Sequence, residues 1–241
     1  FRHTTFQKYT CFDHATFQEY VYFRHTTFQD YTDLEHAVFQ EFADFQHVMF
    51  QGYATFRHAT FHWNAKFEHT AFQETANFEQ AAFRGNANFN NSVKRGDTAK
   101  FRQFSGPANF DNATFSGSAD FTNREFLDRT LFNNAKFLNQ APVFAETKLH
   151  EGTTWHGVQW PETPDDAAEA RNMADAYSHL RRRSNAIQDH EAELDFYSRE
   201  LRAKRAATGG ATGFLITLYE LSCGFGASVG LPFYWLLGLW A

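Results

Sequence analysis

Seven histidines recur at a spacing of eleven residues: His3, His14, His25, His36, His47, His58 and His69. Imidazole ligates transition metals and titrates near neutrality, so a series like this could hold a metal or respond to pH. A metal site needs three or four convergent ligands. A flat row of equivalent side chains offers neighbouring pairs only. The series is therefore expected to be a neutral hydrogen-bonding ladder, a by-product of repeat duplication, and Gln80 and Asn91 continue it in register. Elsewhere the sequence shows no glycine-rich phosphate loop, no nucleophile motif and no paired-carboxylate signature. The chain is expected to be no enzyme, with no catalytic residues, no cofactor-binding residues, no metal site and no cofactor.

Two further sets of side chains could contact a partner. The ninth position of the early repeats is aromatic: Tyr9, Tyr20, Tyr31, Phe42 and Tyr53. It reads as a stacked corner ladder in preference to an exposed aromatic strip for a partner. Basic residues gather at Arg181, Arg182 and Arg183 and again at Arg199, Arg202, Lys204 and Arg205. An acidic lipid or a nucleic acid would suit them, but a solvated face beside a membrane is the more economical expectation.

The element that must position the histidines is set by phenylalanine. Phe1, Phe6, Phe12, Phe17, Phe23 and Phe28 begin a series that steps five, six, five, six and continues through Leu34 and Phe39 to Phe89. Small residues such as Thr4, Ala15, Thr26 and Ala37 lie two positions before a Phe. Side chains two apart on extended backbone share a side, so each Phe and the small residue before it face inward. Steps of five and six would scatter these Phe around a helix. The pattern specifies a solenoid.

The Ala-Thr-Phe at 59–61 and the Ala-Asn-Phe at 76–78, 87–89 and 108–110 resemble the pentapeptide-repeat proteins, in an eleven-residue, Phe-centred subclass. The resemblance implies a mostly β fold, a right-handed four-sided β-helix over 1–150. Two elevenmers per coil would give about 22 residues and about 4.8 Å per turn, roughly seven coils and roughly 33 Å in all. One elevenmer per coil would crowd two inward Phe into a thin section. With two per coil, alternate histidines stack on opposite faces.

The rhythm breaks over 90–109, where Lys94 stands in a Phe position, and it resumes at Phe110. An irregular side or bulged loop is expected there. Trp155 and Trp160 place a capping segment at 151–162. A helical hairpin is expected at 163–207, with Thr163 as N-cap and Pro164 first in the helix. Met173, Tyr177, Leu180 and Ile187 would face inward from the first helix, and Leu194, Tyr197 and Leu201 from the second. Asp189 is expected to start that second helix. Gly209-Gly210 reads as a hinge.

Residues 213–241 carry a single charge, Glu220. Phe214, Leu215, Leu218 and Leu221 are expected to form an interfacial turn, and the apolar run from Leu231 to begin a membrane helix. The chain has no initiator Met, begins inside a repeat and ends in that apolar run, so it reads as a fragment. Cys11 and Cys223 form no disulfide or metal pattern.

Tyr177-Ser-His-Leu-Arg, Phe196-Tyr-Ser-Arg-Glu-Leu and Leu218-Tyr-Glu-Leu-Ser resemble the linker of bacterial pentapeptide-repeat membrane proteins, which often continue into a two-helix ion-channel-type pore. The resemblance implies a cytoplasmic scaffold or sensor arm tethered to the bacterial inner membrane. A protein partner on the solenoid face and self-association are the other contacts open to it. The alternative is a soluble protein-binding rod or a duplex mimic of the gyrase-protecting type, which needs an acidic face. Residues 1–150 hold 14 Lys plus Arg against 16 Asp plus Glu, a balance of −2. That is weak for a mimic or for binding nucleic acid, and nucleic acid is not an expected partner.

Overall fold

The computed structural model describes residues 1–91 and 103–226. The chain divides into two compact units, Phe1–Pro161 and Glu162–Ala241.

The first unit is a parallel β-solenoid. Each strand is two residues long, and each pairs with the strand one coil on. Thr5–Phe6 pairs with Thr27–Phe28, and Thr16–Phe17 pairs with Val38–Phe39. The register is therefore 22 residues, so two elevenmers make one coil. Among the described residues four sheets result, three of six strands and one of five, which amounts to about six turns before isolated bridges take over.

Large and small side chains alternate inside because the strand pleat turns every second residue inward. The Phe rings stack coil on coil. In one column Phe6, Phe28, Phe50 and Phe72 lie 4.9, 5.0 and 5.1 Å apart with nearly parallel planes. Neighbouring columns meet edge to face, as Phe56 and Phe67 do at 88°. Offset stacks and edge contacts are the favoured arrangements of aromatic quadrupoles, and each pair adds about 0.5–1.5 kcal/mol beyond its burial.

One coil is longer than the others. Ala76 pairs with Ala108, 32 residues on, instead of 22. The ten extra residues lie between the strands Ala87–Asn88 and Gln103–Phe104. The expected irregular stretch at 90–109 falls here; residues 92–102 of it lie outside the described residues. The coils continue past residue 150. Bridges join Leu131 to Thr154 and Lys136 to Gln159. Trp155 stacks on Phe132 at 4.6 Å and Trp160 on Phe137 at 5.5 Å. The two tryptophans thus stand in the inward Phe columns of a last turn.

The second unit has three described helices: α1 (Ala167–Ala186), α2 (His190–Thr208) and α3 (Gly210–Cys223). The N-cap of α1 is Asp166, whose side chain accepts from the amides of Ala168 and Glu169. Thr163 was the expected cap, but the carboxylate of Asp166 satisfies two free amides and also suits the positive end of the helix dipole. Asp189 caps α2. Met173, Tyr177 and Leu180 are buried on α1.

On α2 the buried face runs through Phe196, Glu200 and Ala203, whereas Leu194 is exposed. The apolar spacing of Leu194, Tyr197 and Leu201 therefore misplaces this face by part of a turn. Ion pairing explains the shift. The carboxylate of Glu200 accepts from Arg181 Nε at 2.7 Å and Lys204 Nζ at 2.6 Å, which lets an acidic side chain occupy the inner stripe.

Gly209 and Gly210 have φ of 56° and 54°, the left-handed region that glycine enters freely, and there the chain turns from α2 into α3. Among the described residues no helix is long and apolar enough to cross a membrane. The expected membrane helix from Leu231 lies outside the described residues.

Candidate functional site

The histidines occupy one defined backbone position. All seven have φ between 55° and 59°. In each of these repeats the inward residue, a polar residue, the histidine and a small residue form a four-residue turn. The small residue's amide donates to the inward residue's carbonyl, as Ala15 does to Phe12 at 2.9 Å and Ala59 to Phe56 at 3.0 Å. A positive φ at the third place is the type II arrangement, usually given to Gly or Asn. Asn112, Asn123, Asn134 and Gly157 fill the same place in later coils.

The 22-residue register sorts the histidines into two columns of stacked rings. His3, His25, His47 and His69 form one, at 4.9, 4.7 and 4.7 Å. His14, His36 and His58 form the other, at 4.5 and 4.7 Å. Burial lowers the His25 pKa, and the charges of His3 and Arg24 add to that effect.

The two columns differ in the residue before each histidine. The His14 column has Asp13, Glu35 and Arg57. Asp13 Oδ1 lies 3.7 Å from both His14 Nε2 and His36 Nδ1. Glu35 Oε1 lies 3.8 Å from His36 Nδ1 and accepts from Arg57 Nη1 at 2.9 Å. His36 Nδ1 is sealed from solvent without a hydrogen-bond partner. The sequence reading allowed for histidine pairs only. The carboxylates at the preceding position were the signal for more.

The aromatic corner positions stack as well: Tyr9, Tyr31 and Tyr53 lie 5.2 and 5.3 Å apart. Burial, with Asp33 nearby, pushes the Tyr31 phenol up to about 12.

Arg124 has no counterpart in the sequence reading. It occupies the inward position that Thr70 and Thr147 fill in other coils, and it is fully buried. Its guanidinium lies over the Phe104 ring at 4.6 Å, and Nη2 donates to the carbonyl of Thr70 at 2.8 Å, two coils away. Burial pushes its pKa down. Nothing in the local sequence marks it.

In the second unit the basic residues are largely occupied by internal pairs. Arg181 and Lys204 hold Glu200. Arg199 pairs with Asp195 at 2.9 Å. Arg202 Nε donates to Glu220 at 2.8 Å, and Arg205 pairs with the same carboxylate. Burial acts to raise the Glu220 pKa, but the Arg202 hydrogen bond and the charges of Arg205 and Arg202 outweigh it, and the carboxyl ends below its usual range. The only charge of α3 is thereby turned towards α2. Phe214, Leu215, Leu218 and Leu221 are left 63%, 64%, 45% and 54% exposed.

No curated protein and no solved structure matches the chain. The family described as Pentapeptide repeats (9 copies) matches residues 1–49, 12–60 and 56–99. With the 22-residue register and the inward Phe columns, that match makes residues 1–99 similar to pentapeptide repeats.

Proposed function

We propose that this protein is a non-catalytic β-solenoid scaffold held at a membrane surface through α3. The observation that carries the reading is the stripe Phe214, Leu215, Leu218 and Leu221. These positions share one helix face and stay exposed while Glu220 is bound to Arg202 and Arg205. A lipid surface suits such a face, because an interfacial helix buries its apolar side at the headgroup boundary. At 14 residues α3 is about 21 Å long, short of the roughly 30 Å hydrocarbon core, so it would lie along the surface. The apolar sequence from Leu231 would supply the rest of the anchor. The linker resemblance supports the finer reading, that of the cytoplasmic arm of a channel-like protein in the bacterial inner membrane. The duplex-mimic alternative finds less support: the corner column that begins with Asp13 and Glu35 is interrupted by Arg57.

Flotation of the full chain with phosphatidylcholine–phosphatidylglycerol vesicles tests the reading. The chain should float with the vesicles, and Leu215→Glu with Leu218→Glu should reduce the floating fraction several-fold. If the chain stays at the bottom of the gradient, or if the double variant floats as well as the parent, α3 is not the anchor.

A further inference from the structure

We propose that Asp13, His14 and His36 form a binding site for one divalent transition-metal ion, zinc being the natural candidate. The three residues each offer one ligand atom, and these atoms all lie within 4.8 Å of one another. Asp13 Oδ1 is the hub, 3.7 Å from His14 Nε2 and 3.7 Å from His36 Nδ1. Around a tetrahedral ion with bonds of about 2.0–2.2 Å, neighbouring ligand atoms sit about 3.3 Å apart. The two spacings from Asp13 need a contraction of a few tenths of an ångström, and His14 Nε2 and His36 Nδ1, within 4.8 Å of each other, must also close. Side-chain rotation supplies it readily, since the His14 side chain is 72% exposed and that of Asp13 38%.

The second observation is His36 Nδ1. It is closed to solvent and beyond hydrogen-bond length from Asp13 and Glu35. A buried nitrogen left in this state is costly, and a coordinated ion would satisfy it. The donor set of two imidazoles and one carboxylate suits zinc, with a fourth position open to solvent.

The backbone supports the site. His14 and His36 sit in equivalent left-handed turns of successive coils, with rings stacked at 4.5 Å and planes 3° apart; because a ring nitrogen coordinates in the ring plane, the exposed His14 ring turns out of this stack when the ion binds. In the second histidine column Arg2, Arg24 and Gln46 precede His3, His25 and His47, and the one carboxylate, Glu68 before His69, accepts from Gln46 Nε2 and Asn88 Nδ2. A neighbouring set of Glu35, His36 and His58 shares the central histidine. There the carboxylate is already engaged by Arg57, which repels a cation. The inference is independent of the membrane reading.

Calorimetric titration of the untagged full chain with zinc chloride, and the visible spectrum of its cobalt(II) form, test the proposal. One ion per chain should bind, and cobalt should give the intense absorption of a four-coordinate site. Asp13→Asn, His14→Asn and His36→Asn should each weaken binding about tenfold or more. Asn is chosen because later coils place it in the same turn, so the fold is kept. His25→Asn and His58→Asn should leave the affinity unchanged. Absence of saturable binding overturns the site, as does binding that survives His36→Asn. Binding that is lost in His58→Asn but kept in His14→Asn overturns the choice of ligands.

Discussion

The histidines of the repeat are backbone residues before they are chemical ones. Each holds a left-handed turn that costs an L-residue roughly 1–2 kcal/mol, and each recovers part of that cost by stacking on its neighbour a coil away. Replacement should therefore follow turn chemistry more than polarity. His58→Val forces a β-branched side chain into the turn and should destabilise the solenoid by about 1–2 kcal/mol. His58→Asn should stay within about 0.5 kcal/mol of the parent. Urea unfolding compares the two variants. Equal stability would mean that the turn is not what selects histidine. The regular spacing of the histidines was plain in the sequence. Their φ was not, because Gly and Asn are the residues that announce such a turn and here they appear only in the later coils.

The helices show how charge decides which face turns inward. Apolar spacing alone placed Leu194 inside α2, but the pairing of Glu200 with Arg181 and Lys204 rotates the buried face to Phe196 and Ala203. The link between α2 and α3 is likewise ionic, through Glu220. Its pKa is lowered in the folded chain, so its contribution is full above the ordinary carboxylate value and is lost as pH falls through the lowered folded value. Acidification below about pH 4.5 should loosen α3 from α2. The Tyr219 ring packs against Phe225 at 5.6 Å, and the chemical shifts of that pair should move towards free-peptide values as α3 loosens. Glu220→Gln should show the loosened shifts already at neutral pH and little change on acidification. A pH profile unchanged by the substitution would remove Glu220 from this role.

Within the solenoid, stability is a sum over coils and over the stacks between them. The inner coils have neighbours on both sides, and Phe28, Phe39, Phe45 and Phe50 are fully buried. In the first described coil burial is lower, and Phe1 is 54% exposed. Amide exchange in this chain should therefore be fastest over residues 1–20 and slowest over 45–80. Uniform protection along the repeats would mean that the solenoid opens as a single unit.

The sequence by itself determined the solenoid, because a strand pleat turns every second residue inward and the alternation of Phe with small residues fits no helix. It also determined that the histidines recur in step with the coils. Only the tertiary structure decided what those coils bring together. Asp13 and His36 are 23 positions apart in the chain, Arg124 and Thr70 54, and Glu220 and Arg202 18. No local pattern encodes such a pairing. It follows from a register of 22 residues in most coils, 32 in one, and from a glycine turn that folds α3 back. Contacts between distant residues arise when the chain closes on itself, and there packing and charge select among arrangements that the repeat alone leaves equivalent.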